Sequence, residues 1–312
     1  MTGDGKGNIA LKERKKNVDK IDQVTESILQ KIDGEGFKQE GAYNLRYNGY
    51  SLCHGSTEHI KIEKKEDKQG IDVYISSGTK GEQVHIPVVV AASGVMDEVY
   101  NDFYIGEGAE VTIVAGCGIH TFHIGEGANV RYEEKHYGEG EGTGARILNP
   151  VTKIIMEAHS VFTLDTVQIK GVDSTKRETE VVMGEDTKLF VVEKLMTHGK
   201  QDAVSNMDVC LNGTGSSAQI ISRSVAKGDS KQVFHPKAIG NAPCHAHIQC
   251  DSIIMDQARV CSIPEIDANH VDAAIIHEAA IGRINNEQLI KLNTFGLSEE
   301  EAEAVIIDNF LN

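Results

Sequence analysis

Tryptophan is absent from the 312 residues, and aromatic side chains make up only 5% of them. Such a chain has little from which to build a large aromatic binding platform. Positive charge is also scarce. The 31 Lys and Arg stand against 47 Asp and Glu, for a formal net charge of −16, which repels nucleic acid and anionic membrane at long range. The one basic run, Lys12-Glu-Arg-Lys-Lys16, reads as a solvated helix face. No run of about 18 apolar residues is present, so no membrane span is expected. The N-terminus is polar and lacks the apolar core of a signal peptide. Six cysteines occur without a single Cys-x-x-Cys, and the expectation is a cytoplasmic protein with reduced thiols. Prolines number only 5 against 31 glycines, a balance that favours tight turns over disorder. Gly106-Glu-Gly-Ala109 is followed by neither the Lys nor the helix of a phosphate loop, and no nucleophile elbow or Ser-His-Asp order stands out. No catalytic motif is therefore apparent.

What the chain does contain is periodicity. Ile9, Leu11, Val18, Ile21, Val24, Ile28, Leu29 and Ile32 recur at helical spacing, so a helix is predicted over residues 8–33 with Gly34 as its stop. A strand-rich region follows. Arg46-Tyr-Asn-Gly49 reads as a turn, His59–Lys64 and Gly70–Ser76 as half-buried strands, and His85–Ala92 as a fully buried one. From about residue 100 the chain copies itself. Gly106-Glu-Gly-Ala-Glu-Val-Thr-Ile-Val114 recurs as Gly125-Glu-Gly-Ala-Asn-Val-Arg-Tyr-Glu133, with weaker copies beginning at Met156, Gly184, Gly213, Met255 and Ile266. Each pairs a small polar turn with a short alternating strand. Without crossover helices, this pattern predicts a β-solenoid whose coils bury a shared core. An open sandwich is the rival. A left-handed hexapeptide helix is the other, but its hexads are not sustained, so a right-handed parallel β-helix is preferred. Residues 1–99 are expected to form an N-terminal helix and strand-rich region, 100–284 the β-helix, and 285–312 a helical docking segment. In that last segment Leu289 and Leu292 share a face, Gly296 is a stop, and Ser298-Glu-Glu-Glu301 is a capping box. Ala302, Val305, Ile306 and Phe310 are expected to form its apolar stripe, too large for two short helices to bury without docking.

Candidate ligands gather just ahead of these helices. Cys250 lies in His247-Ile-Gln-Cys-Asp-Ser-Ile-Ile254, and His277-Glu278 follows 27 and 28 positions later. Stacked coils bring such positions within about 5–10 Å, since neighbouring strands lie about 4.8 Å apart. Thiolate, imidazole and carboxylate together suit iron or an iron–sulfur unit, held more weakly than by four thiolates. Adjacent strand residues face opposite ways, so His277 and Glu278 can share one site only at a bend, a strand end or a subunit interface. For Cys250 the alternative is a small buried hydrophobe, and for His277 a satisfied histidine. Cys117-Gly-Ile-His-Thr-Phe-His123 and Cys244-His-Ala-His247 have metal-like spacing but no second ligand pair. Cys261 reads as core.

Residues 250–310 resemble the C-terminal core of the SufB/SufD family, the scaffold proteins of iron–sulfur cluster assembly. The matching segments are Cys250-Asp-Ser252, Ala258-Arg-Val-Cys-Ser-Ile-Pro-Glu-Ile266, His277-Glu-Ala-Ala-Ile-Gly-Arg-Ile284, Glu287-Gln-Leu289 and Gly296-Leu-Ser-Glu-Glu-Glu-Ala302 with Phe310. Arg46–Gly49, His85-Ile-Pro87 and Asn101-Asp-Phe103 also look like the family. The resemblance implies a right-handed parallel β-helix flanked by helices, a dimer, and a SufC-type ATPase bound through the C-terminal helices. It further implies a transient iron–sulfur cluster near the dimer interface. Cys250 matches the cluster-site cysteine of SufB, Glu278 the glutamate of its His-Glu pair, and His277 a histidine found in both subunits. Ile276 departs from the glutamate common in SufB, and the long cysteine-bearing N-terminal extension is missing. A compact SufB-like member is therefore expected, as a homodimer or a SufB/SufD-type heterodimer. A SufD-like subunit that binds the ATPase but holds no cluster is the alternative. A solenoid enzyme acting on carbohydrate would need aromatics along a groove and is disfavoured.

Overall fold

The computed structural model describes residues 41–48, 50–89, 98–137, 146–284 and 286–311. The helix expected over 8–33, the glycine-rich stretch 138–144 and the end of the strand expected at 85–92 lie outside the described residues.

The fold is a parallel β-solenoid of about seven turns. Among the described residues two 11-stranded sheets face each other, and through the central coils the chain passes from one to the other and back. One sheet stacks Lys188–Thr197, Ser217–Ala226, Cys244–Ile254 and Ala273–Gly282 in parallel. The other stacks Ser174–Met183, Asp202–Leu211 and Lys231–Gly240. At the opposite end two antiparallel pairs close the stack: Ala42–Tyr47 with Tyr50–Gly55, and Ile60–Lys64 with Gly70–Ile75. The predicted turn falls between the first two, with Asn48 at φ 48°, a conformation Asn tolerates better than most residues.

The sequence repeat corresponds to a stacked turn. Positive φ recurs in successive coils, at the third position in Gly108, Gly127, Asp186 and Gly215 and one place later, at His159, in the copy that begins at Met156. Each of these residues donates its amide to a carbonyl of the next coil, from Gly108 N to Glu126 O (2.8 Å) through to Gly215 N to Pro243 O (2.8 Å). The following Ser or Thr donates its hydroxyl back across the turn, as in Ser160 to Glu157 O and Thr187 to Gly184 O. Coils touch so closely here that a Cβ on Gly213 would lie 2.0 Å from the carbonyl carbon of Gly184. The copy predicted at Ile266 is displaced. Glu265–Ala268 is strand, and the turn comes after it.

Inside, the two halves differ. The N-terminal coils hold aromatic rings, with Phe103 stacked on Phe122 at 4.5 Å and Phe122 against Phe162 at 5.2 Å. Each such fully buried side chain contributes about 1.5–3 kcal/mol. The C-terminal coils hold fewer rings and bury a longer series of polar groups, among them Arg177, Glu193, Ser205, Ser222, Ser224 and Gln232.

Two helices, Asn286–Thr294 and Glu299–Leu311, complete the described chain. Gly296, at φ 94°, separates them. Ser298 N donates to Glu301 Oε2 (2.8 Å) and Glu301 N to Ser298 Oγ (3.3 Å), the reciprocal bonds of a capping box. Ala302 is buried, while Leu311, Phe310 and Ile307 pack with Val225 and Met255 of the solenoid. The packing face is therefore rotated from the predicted stripe. Val305, expected to be covered, is 47% exposed, because docking rather than helical periodicity alone selects the face.

Candidate functional site

Strand alternation decides where each candidate ligand points. Along Cys244–Ile254 the buried positions are Cys244, Ala246, Ile248, Cys250 and Ser252. The neighbouring strand aligns His277 with Ile248, Glu278 with Gln249 and Ala279 with Cys250. His277 therefore shares the inner face with Cys250, two residues off the direct register, and its ring leans back to the thiol. Cys250 Sγ and His277 Nε2 are 3.2 Å apart. Ser262 Oγ, from the facing sheet, lies 3.5 Å from the same sulfur.

Glu278 is on the opposite side of that strand. Its carboxylate is exposed and sits 3.4 Å from Nε2 of His247. His277 and Glu278 occupy the middle of Ala273–Gly282, with neither bend nor strand end between them. Within one chain, thiol and imidazole meet while the carboxylate turns outward. Among the described residues no group of three or more His, Cys, Asp or Glu is placed to hold a metal ion.

The comparisons with known proteins bear on this terminal coil. Residues 99–310 match the family model described as SUF system FeS cluster assembly, SufBD core domain. The chain belongs to the SufBD family of iron–sulfur cluster assembly proteins. It is 28% identical over 235 residues to an iron–sulfur cluster assembly SufBD family protein of Methanothermobacter thermautotrophicus, covering 70% of this chain and 56% of that relative. A second relative of the same description, from Methanocaldococcus jannaschii, is 27% identical over 271 residues, covering 81% and 85%. A third, from Synechocystis, is 25% identical over 228 residues, covering 65% and 47%. The chain thus spans a little over half the length of the Methanothermobacter relative.

In this SufBD core the environment of Cys250 is buried but not hydrocarbon. A cavity of about 10 Å³, room for a single water, is lined by Cys250, Glu193, Ser222, Ser224, Gln232 and Ser262 among others. Burial pushes the Cys250 thiol up to about 11, and the nearby Glu193 and Asp251 carboxylates add to the rise, while the Ser262 hydroxyl opposes it. Burial likewise lowers the pKa of His277. Both groups are neutral near pH 7, and a metal ion binding the sulfur must displace its proton.

The remaining candidates of the SufBD core separate. His120 is buried, its ring 2.6 Å from Tyr132 Oη and 3.2 Å from Asn101 Nδ2. His123 faces outward and stacks on Tyr104, so the Cys117–His123 spacing does not converge. Cys244 is buried and His247 faces outward for the same reason. Cys261, expected in the core, is exposed. In the short strand Arg259–Ser262 it is Val260 and Ser262 that are half-buried. Sequence reasoning also missed the buried charges. Arg177 Nη1 lies 2.7 Å from Glu134 Oε2, and Arg177 Nε lies 3.8 Å from Glu193 Oε1. Glu193 further accepts hydrogen bonds from Ser205 and Ser222. The only signal available was a set of polar residues at every second position, which an outward face would show equally well.

Proposed function

We propose that this chain is a scaffold on which an iron–sulfur cluster is assembled transiently, rather than an enzyme. The 3.2 Å approach of Cys250 Sγ to His277 Nε2 on the last coil carries this reading. A soft sulfur and a borderline nitrogen on adjacent strands make half of a mixed site that can accept iron and still release it. The sulfur binds as thiolate, its proton leaving through the neutral imidazole beside it.

Completion of the site comes from a second copy or a SufB/SufD-type partner. Ala273–Gly282 is the last strand of its sheet among the described residues, so one row of backbone groups is open for pairing. Around this edge Val271 is 92% exposed, with Ile263, Ile266, Ile276 and Ile281 also uncovered. A solenoid end of this kind requires a cap. Dimerisation supplies one and brings Glu278 of each copy to the junction as a labile carboxylate ligand. A SufC-type ABC ATPase docks on the C-terminal helices, where Ile290 and Phe295 are exposed.

The test is anaerobic reconstitution with iron and sulfide, read by visible absorption and bound iron. Cys250→Ser, His277→Ala and Glu278→Ala are expected to load less cluster than wild type. Equal loading in all four proteins removes these residues from the site. One observation favours a second reading. The outward turn of Glu278 suits a SufD-like subunit that binds the ATPase but holds no cluster alone. That reading predicts no iron on the purified chain together with intact ATPase co-purification.

A further inference from the structure

We propose that His247 and Glu278 form a solvent-facing capture site for a divalent first-row metal ion, back to back with the inner Cys250–His277 pair. The role as an entry point rests on the scaffold reading above; the existence of the site does not.

Alternation puts His245, His247, Gln249 and Asp251 on the outer face of Cys244–Ile254. Ile276 and Glu278 occupy the same face of the next strand, with Ile276 beside His247 and Glu278 beside Gln249. Glu278 therefore reaches back along the wall to His247, and its Oε2 stops 3.4 Å from Nε2. A charge-assisted hydrogen bond would draw these atoms to about 2.7–2.9 Å. Two ligands each about 2.1 Å from a tetrahedral metal lie about 3.4 Å apart. Gln249 Nε2 donates to Asp251 Oδ2 at 2.6 Å, which occupies that carboxylate and leaves the His247–Glu278 pair as the ligand set.

An imidazole and a carboxylate select borderline divalent ions over Ca²⁺ or Mg²⁺. With two protein ligands the other positions remain with water, so the ion is held weakly and exchanges readily. Those are the properties of a loading site. Both pairs lie on the last two strands of the sheet, and the outer edge of Ala273–Gly282 is unpaired among the described residues. An ion held outside thus needs to pass only that edge to reach the sulfur.

Cobalt(II) titration of the full chain under anaerobic conditions separates the two pairs. Cobalt on Cys250 gives a sulfur-to-metal charge-transfer absorption, whereas the outer pair, with only nitrogen and oxygen ligands, gives none. In Cys250→Ser, cobalt binding without that absorption is expected to persist. Adding His247→Gln or Glu278→Gln should weaken it at least tenfold. His245→Gln, on the same face, should leave it unchanged. His247→Gln alone should retain the charge-transfer absorption. Equal cobalt affinity in Cys250→Ser and Cys250→Ser/His247→Gln overturns the capture site. Absence of the charge-transfer absorption in wild type, with His247-dependent binding retained, removes the inner pair and leaves the outer site standing.

Discussion

Arg177 donates to Glu134 at 2.7 Å inside the solenoid, where the two side chains are 6% and 1% exposed. Removing two charges from water costs several kcal/mol per ion, and their mutual attraction only roughly offsets it. Breaking the pair from one side is the severe change. Arg177→Met, which takes the buried positive charge away from both Glu134 and Glu193, is expected to cost about 3–5 kcal/mol. Converting Glu134→Leu in the same chain should recover a large part of that loss. Urea midpoints for the single and double variants give the answer, and equal midpoints would show the charge is not decisive.

Cys250 makes stability depend on pH in the alkaline range. Its folded pKa is raised to about 11 from an ordinary value of 9.0. Between these values the folded chain keeps a proton that the unfolded chain has lost, so stability falls with rising pH. The contribution is fully present below about pH 9 and gone above about pH 11. Cys250→Ser should flatten this part of the profile relative to wild type. Parallel denaturation curves at pH 8 and pH 11 check it. In wild type, alkylation of Cys250 by iodoacetamide should also be slow at pH 7 and accelerate through the same window.

The terminal edge offers a test by mass. Ile276→Glu combined with Val271→Lys places charge on the uncovered end of the last coil, where Val271 is almost fully exposed. Light scattering is expected to report a dimer for wild type and a monomer for the double variant, with the circular dichroism of the sheet unchanged. A wild-type monomer at micromolar concentration would count against edge-to-edge closure.

Ser298 caps the last helix through its hydroxyl and amide. Ser298→Ala should cost about 1 kcal/mol, which accelerates amide exchange across 299–311 about fivefold while leaving the coils protected. An effect spread over the whole chain would mean that the helix and solenoid unfold together.

Much of this architecture was legible because local chemistry repeats. Gly-Glu-Gly-Ala at 106 and 125 marks a turn whose third residue needs positive φ; Asp186 fills that place in a weaker copy, and His159 takes the conformation one residue later in another. The capping box and the Gly296 stop are equally local. The separation of His277 from Glu278 followed from strand alternation alone. Other features depended on contacts that no short window records. Thr175, Arg177 and Thr179 alternate with Lys176, Glu178 and Glu180, and either set could have faced inward. Cys261 lies in a repeat strand, but alternation turns it outward while Val260 and Ser262 face in. The closeness of Cys250 to His277 needed a register two residues away from direct opposition. That displacement is set by the pairing of Cys244 with Ala273.

From Ser174 onward, partners on stacked coils lie 28 or 29 residues apart in sequence, as with Ser224 and Ser252 or Asn212 and Asn241. The rungs of this stretch are thus nearly equal in length. Duplicating or excising one such segment would lengthen or shorten the molecule by about 4.8 Å while preserving the joints on either side. The barrel of the solenoid works as a ruler, and selection can reset how far its two ends stand apart without redesigning either.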